Sequence, residues 1–96
     1  MKIIYRIHAI ERMFERGIGI KEVRSALETG DAIENYPDDA EYPARLVLAN
    51  KGRRPLHVVA ADIQSSGDLI VITIYRPDPK RWTDDFRRRR DEVLDV

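Results

Sequence analysis

Two apolar segments in the second half of the chain constrain its fold more than any other feature. Residues 55–63 and 69–75 are apolar at most positions, and the turn sequence Gln64-Ser65-Ser66-Gly67 separates them. Two such segments joined by a short turn predict an antiparallel hairpin. Because the second segment is apolar on nearly every position, we expect it to lie in the middle of a sheet that helices cover on one side.

Helical periodicity is confined to the first third of the chain. Two segments place their apolar residues on one helical face, namely 7–16 and 20–29. A glycine follows each of them, Gly17 and Gly30, and glycine is common where helices end. The pattern therefore predicts two N-terminal helices with these bounds.

The remaining segments predict two strands and one more helix. Strand patterns cover 32–36 and 44–49, with turns predicted at Pro37-Asp38-Asp39 and Asn50-Lys51-Gly52. After the last strand, Asp78 followed by a proline is typical of a helix start, and the helix would extend to about residue 94. The expected fold class is α+β, with two N-terminal helices, a four-stranded mainly antiparallel sheet and a C-terminal helix.

The length of 96 residues fits a single domain, 1–96, with a core over about 4–82 and a basic helix or tail over 83–96. The chain has no cysteine, which excludes thiolate metal sites and disulfides, and its two histidines do not favour an imidazole metal site. No apolar run approaches the ~20 residues of a membrane span, and the N-terminus does not resemble a signal peptide. We expect a cytoplasmic protein with no metal or other cofactor and no membrane partner.

The balance of charge hides an uneven distribution. Lysine and arginine total 17, as do aspartate and glutamate, but 13 of the bases are arginines. Acids cluster between residues 31 and 41, and bases cluster between residues 76 and 90. Such a layout can present a positive face to a polyanion, and arginine binds phosphate in a bidentate manner. The alternative interpretation is a surface of paired charges.

Helix spacing aligns three candidate functional residues near the N-terminus. His8, Arg12 and Arg16 stand at i, i+4 and i+8, and therefore on one ridge of the first predicted helix. The two arginines repel each other there unless an anion lies between them. In the alternative interpretation, Glu11 and Glu15 pair with the arginines as ordinary surface charges.

The sheet and its C-terminal flank supply five more candidates. Arg54 and His57 stand near the start of one strand, and Tyr75 and Arg76 stand at the end of another. An exposed histidine with a pKa near ~6.5 suits general acid–base catalysis, but a histidine in a sheet can equally be a satisfied core residue. Tyr75 could donate a proton, stack on a base or cap the core, and Trp82 could stack a splayed base.

Three segments, in order, resemble the domain-of-unknown-function family 4258. Residues 8–18 show its pattern His-Ala-x-x-Arg-Met-x-x-Arg-Gly-Ile, residues 54–59 its Arg-Pro-Leu-His-Val-Val strand, and residues 70–82 its closing strand with Tyr-x-Pro-Asp-Pro-x-x-Trp. The resemblance extends over about 4–90. The chain departs from the pattern at Gly19, where a serine or threonine helix cap is usual.

The resemblance implies a relationship to the RelE-, BrnT- and MqsR-type toxins of bacterial toxin–antitoxin systems. It implies a RelE-like architecture and a metal-independent endoribonuclease that cleaves messenger RNA, including ribosome-associated RNA, and that a cognate zinc-finger antitoxin inhibits. The residues carried over as catalytic are His57, His8 and Tyr75. Those carried over as RNA- or phosphate-binding are Arg12, Arg16 and Arg54. Arg76 and Trp82 join them as RNA-binding candidates from their own positions after the last strand, not from the resemblance.

Two other classes of function remain open from the sequence. One is a non-catalytic RNA- or antitoxin-binding module, which would keep the basic face but tolerate loss of His57. The other is a structural or regulatory protein that forms a homodimer through a sheet edge, with its arginines in salt bridges and no affinity for polyanions.

Overall fold

The computed structural model describes residues 2–37, 42–50 and 54–91. Its elements, in chain order, are β1 (Ile3–Tyr5), α1 (Ile7–Arg16), α2 (Ile20–Thr29), β2 (Asp31–Tyr36), β3 (Ala44–Ala49), β4 (Leu56–Ile63) and β5 (Asp68–Tyr75). Both helices have the bounds that the periodicity predicts. The described residues include only the first residue of each predicted turn, Pro37 and Asn50, and residues 38–39, 51–52 and the end of the predicted C-terminal helix at 92–94 lie outside them. Within the described ranges, neither helix has the length and apolar character that a membrane crossing requires.

The five strands form one mixed sheet in the order β1-β5-β4-β3-β2. The pairs β2–β3, β3–β4 and β4–β5 are antiparallel. Strand β1 runs parallel to β5, with Ile3 opposite Leu69 and Tyr5 opposite Val71. The prediction of a four-stranded mainly antiparallel sheet is therefore wrong, although the α+β class holds. A three-residue strand is too short to show periodicity, and its partner lies at the other end of the chain, so no local pattern indicates β1.

The two helices cover one face of the sheet. Ala9 of α1 and Val23 of α2 are fully buried and belong to one apolar cluster with Val58 of β4. Gly30 allows α2 to end directly on β3, because a Cβ there would lie 2.5 Å from a helix carbonyl oxygen and 2.6 Å from Val47 Cγ1. The glycine is thus required for close approach rather than for an unusual backbone angle.

Residues 77–91, the C-terminal strap, cover part of the opposite face. The neighbours of His57 along β4 pack under the helices, so the alternation of the strand turns His57 to the other side. There Trp82 of the C-terminal strap packs edge-on against it, with ring centroids 4.4 Å apart. Arg87 also pairs with Asp31 of β2, with an N–O distance of 3.2 Å.

The predicted C-terminal helix is also wrong over residues 77–89, which form turns and an isolated bridge. Phe86 has a φ of 60°, in the left-handed region, and an α-helix cannot continue through that conformation. The Asp85 carboxylate accepts a hydrogen bond from the backbone N–H of Arg87 at 3.2 Å. Such local side-chain bonds compete with helix formation. Asp78 and the proline after it therefore begin a turn instead of a helix.

Candidate functional site

A basic cleft opens at the C-terminal end of β5, where the chain leaves the sheet and enters the C-terminal strap. Its volume is about 460 Å³. We call it the arginine cleft, and its lining residues are Arg16, Tyr75, Arg76, Asp78, Arg81, Trp82 and Arg89. Four guanidinium groups and one carboxylate therefore surround two aromatic rings, which is a composition suited to a phosphate-bearing ligand with flat bases.

One wall of the arginine cleft is held rigidly by Arg76. Its Nη1 and Nη2 donate to Glu22 Oε2 and Oε1 of α2 at 3.0 and 3.2 Å, a bidentate ion pair. Nη1 also donates to the backbone oxygen of Arg54 at 3.0 Å. Because Glu22 neutralises much of its charge, Arg76 contributes mainly shape and hydrogen-bond donors to the cleft.

The other guanidinium groups differ in how far they are neutralised. Arg89 lies over the Trp82 ring, 4.7 Å from its centroid, and pairs with Glu34 of β2 at an N–O distance of 3.4 Å. Arg16 and Arg81 are exposed, and neither forms an ion pair with a carboxylate among the residues that the structure describes. These two side chains give the cleft its uncompensated positive charge.

Tyr75 connects the floor of the arginine cleft to a buried histidine. His57 is 0% exposed, and each of its ring nitrogens lies within hydrogen-bond distance of a partner. Nε2 lies 3.0 Å from the backbone oxygen of Phe86, which can only accept, so Nε2 carries the proton. The neutral Nδ1, 3.1 Å from the Tyr75 hydroxyl, then accepts the phenolic proton.

Burial acts on the pKa values of both partners in this pair. It lowers the pKa of His57 below 6.5, which outweighs the hydrogen bond to the Phe86 carbonyl. It raises the pKa of the Tyr75 phenol above 10, and the nearby charge of Arg89 offsets only part of this rise. At neutral pH the pair is therefore an uncharged imidazole and a protonated phenol.

This arrangement predicts an acid-sensitive fold. The unfolded chain protonates His57 near pH 6.5, whereas the folded chain does so only at lower pH. The unfolded state binds more protons in that window, so the free energy of unfolding should fall as pH falls below about 6.5, by up to ~1.4 kcal/mol per pH unit. Urea unfolding between pH 7.5 and 5 measures this slope. H57Q should reduce the slope, H8Q should leave it in place, and an equal slope in H57Q would contradict the assignment.

The structure brings half of the predicted site residues together. Those that line the arginine cleft are Arg16, Tyr75, Arg76 and Trp82. His57 lies directly behind Tyr75 and is covered by the C-terminal strap, so it does not line the cleft but contacts two of its lining residues, Tyr75 and Trp82. The predicted role of His57 in direct proton transfer stays a prediction, and this geometry favours a supporting position.

The other predicted residues lie elsewhere. His8 is exposed on α1 and, eight residues before Arg16, stands about 12 Å away along the helix. Arg12 forms an exposed ion pair with Glu15, with an N–O distance of 3.4 Å. Arg54 offers its backbone oxygen to Arg76 and lines a neighbouring pocket.

Sequence reasoning missed two residues that line the cleft, Asp78 and Arg81, and considered Arg89 only as part of the run Arg87–Arg90, which could add an electrostatic contribution to nucleic-acid binding. Asp78 and Arg81 had a usable signal, because the loop that follows a central strand commonly carries functional side chains. The run of four arginines does not indicate which of its members reaches the cleft, and the path of the C-terminal strap places Arg89 there.

Comparison with known proteins places the chain in a family but does not add a characterised relative. Neither a curated protein nor a solved structure matches it. One family model matches from the last residue of β1 to the first residue after β5, and so includes both helices, strands β2 to β5 and Arg76. The match leaves most of the C-terminal strap outside. The chain belongs to the family described as "Domain of unknown function (DUF4258)", whose model matches residues 5–76.

Proposed function

We propose that the arginine cleft binds single-stranded RNA. The observation that carries this proposal is the presence of two exposed guanidinium groups, Arg16 and Arg81, which form no ion pair among the described residues and lie beside the half-buried Tyr75. Trp82 also lines the cleft, but it is 3% exposed and Arg89 lies over its ring. Arginines without a carboxylate partner bind phosphate and release counterions, and a partly exposed aromatic ring at the same place can contact an unstacked base. A double helix presents its bases edge-on within grooves, so a single strand fits this combination best.

We further propose that the cleft cleaves the RNA that it binds. The 2′-oxygen attacks the adjacent phosphorus, forming a 2′,3′-cyclic phosphate as the bond from phosphorus to O5′ breaks. Tyr75, which is protonated at neutral pH, gives its proton to the leaving O5′. Asp78, the one carboxylate in the cleft lining, takes the proton from the 2′-hydroxyl. Arg16 and Arg81 stabilise the charge that develops on the phosphoryl oxygens.

In this mechanism His57 is a positioning residue. It accepts the Tyr75 hydroxyl proton at Nδ1 and thereby holds the phenol at the cleft floor until the leaving oxygen competes for that proton. Its other nitrogen ties the same unit to the C-terminal strap through Phe86. An effect of His57 on activity would then arise through Tyr75 and through folding.

The proposed cellular role is that of the toxin of a type II toxin–antitoxin pair, acting on messenger RNA. The support is that residues of two resemblance motifs, Arg16 from the first and Tyr75, Arg76 and Trp82 from the last, converge on one cleft. The proposed partner is an antitoxin that covers the arginine cleft and competes with RNA for it.

A second candidate is an RNA-binding module without catalysis. The observation that favours it is the complete burial of His57, which leaves no histidine in the cleft lining within the described part of the chain. Binding would then depend on the arginines alone. The catalytic proposal predicts that loss of the Tyr75 hydroxyl slows RNA cleavage, whereas the binding module has no cleavage that Tyr75 could affect.

The test compares cleavage and binding of a fluorescent single-stranded RNA with its all-deoxy counterpart. The wild type is expected to bind both and to cleave only the RNA. Y75F should slow cleavage by about 100-fold, which is a typical rate contribution of a general acid, while the Kd for RNA changes little. D78N, which keeps the oxygen that accepts the Lys80 N–H at 2.9 Å, should also slow cleavage.

The matched control is Y5F, because the Tyr5 hydroxyl is buried without a hydrogen-bond partner in the described structure and its loss should change nothing. RNA that is bound but left intact by the wild type would support the binding module. Cleavage by Y75F at the wild-type rate would remove Tyr75 from the mechanism. If neither nucleic acid binds, the cleft has another ligand.

A further inference from the structure

A second pocket adjoins the arginine cleft and shares Arg76 with it. Its volume is about 370 Å³, within the range of ordinary ligand pockets. We call it the proline pocket, and its lining residues are Arg54, Pro55, Arg76, Pro77, Pro79 and Phe86. Three rigid pyrrolidine rings and one benzene ring make its walls flat and largely apolar, which contrasts with the four guanidinium groups of the neighbouring cleft.

The backbone of Phe86 is fixed in an unusual conformation at this wall. Its φ of 60° is rare for a bulky side chain. Its N–H donates to the Thr83 carbonyl at 2.7 Å, and its own carbonyl accepts from His57 Nε2 at 3.0 Å. Strained residues persist where the surroundings hold them, and they concentrate at binding sites. Phe86 is half-buried and lines the proline pocket.

The division between the two pockets is equally rigid. Arg76 is held by Glu22 on one side and by the backbone of Arg54 on the other. A ligand whose anionic group lies in the arginine cleft can therefore extend a flat group past a fixed guanidinium into the proline pocket. One nucleotide of RNA has this composition, a phosphate joined through ribose to a planar base.

We propose that the proline pocket binds one base of the RNA strand, stacked on Phe86, while the adjoining phosphate lies in the arginine cleft. This inference rests on the proposed RNA-binding function and assigns its base-binding subsite. Apart from the two arginines, the side chains that line the proline pocket are rings without polar groups. Recognition is therefore by stacking, with little dependence on which base is present.

The experiment compares two ligands of equal charge, a hexaribonucleotide and an abasic ribose-phosphate hexamer of the same length. Fluorescence anisotropy should show that the wild type binds the hexaribonucleotide at least tenfold more tightly. F86L should weaken hexaribonucleotide binding by about tenfold, the scale of one lost stacking contact, and should leave abasic binding within twofold. F86Y, which keeps an aromatic face, should bind both as the wild type does.

The outcomes separate this inference from the function on which it rests. Equal binding of both hexamers by the wild type would overturn the base subsite while leaving the phosphate cleft intact, and this comparison needs no variant. Equal weakening of both hexamers in F86L would also overturn it, since Phe86 would then act only by shaping the fold. Failure of the wild type to bind either hexamer would overturn the proposed function itself.

Discussion

Replacing both Arg16 and Arg81 by glutamate should weaken binding of single-stranded RNA by roughly 1,000-fold at low salt. Both side chains line the arginine cleft, both are exposed, and neither is neutralised by a neighbouring carboxylate in the described structure. Each substitution removes a phosphate contact and places a negative charge against the phosphate backbone, which costs several kcal/mol in total. Anisotropy titrations across a series of salt concentrations measure both the Kd and its salt slope, and the slope should become shallower by about two.

The matched control carries the same change of net charge outside the cleft. Arg6 and Arg24 are exposed residues that do not line it, so R6E/R24E should reduce affinity only through the long-range field. If this control weakened binding as much as R16E/R81E, RNA would be responding to the overall charge of the protein. The arginine cleft would then not be the binding site.

Replacing His57 by alanine should lower the free energy of unfolding by about 3–5 kcal/mol. The substitution removes a fully buried ring that packs against both Trp82 and Tyr75. It also leaves the Phe86 carbonyl and the Tyr75 hydroxyl without their partner. Urea unfolding measures the loss of stability. Because Trp82 is the only tryptophan of the chain, its fluorescence reports directly on whether the C-terminal strap stays in place.

The control for this prediction is H8A. His8 is exposed on α1, and its loss should change stability by no more than about 0.5 kcal/mol. A stable H57A protein would contradict the predicted contribution of the ring to folding, and a loss of RNA cleavage by that protein would then report on the positioning of Tyr75. A destabilised H57A protein would make its inactivity uninformative about catalysis, which is why Y75F is the sharper test of the mechanism.

Local sequence patterns predict those parts of the fold that local interactions specify. The apolar stripes of α1 and α2 and the glycines after them predict both helices, because side chains three and four residues apart share a face whatever the rest of the chain does. The hairpin of β4 and β5 is predicted for a similar reason, since a short turn leaves little choice of partner. Four of the eight predicted site residues come together at the cleft. Arg16, Tyr75 and Arg76 lie at or directly after the ends of these predicted elements, whereas Trp82 lies in the C-terminal strap.

Patterns fail where a distant contact decides the conformation. The segment Ile3–Tyr5 becomes a strand only because β5 offers it a free edge. Trp82 and Phe86 have helical spacing. However, the ring of His57 packs against Trp82, and its Nε2 donates to the carbonyl of Phe86. These two contacts favour the C-terminal strap over a helix. The same contacts determine that Arg89, among four adjacent arginines, lines the arginine cleft.

The sequence by itself determined the α+β class, both helices, the central hairpin and the family to which the chain belongs. Only the tertiary structure decided the fifth strand, the path of the C-terminal strap, and which arginines meet at one cleft. The physical reason lies in the range of the interactions. Helix and hairpin formation depend on neighbours in the chain, whereas burial of His57 and the pairing of Arg76 with Glu22 depend on residues that only the folded sheet brings together.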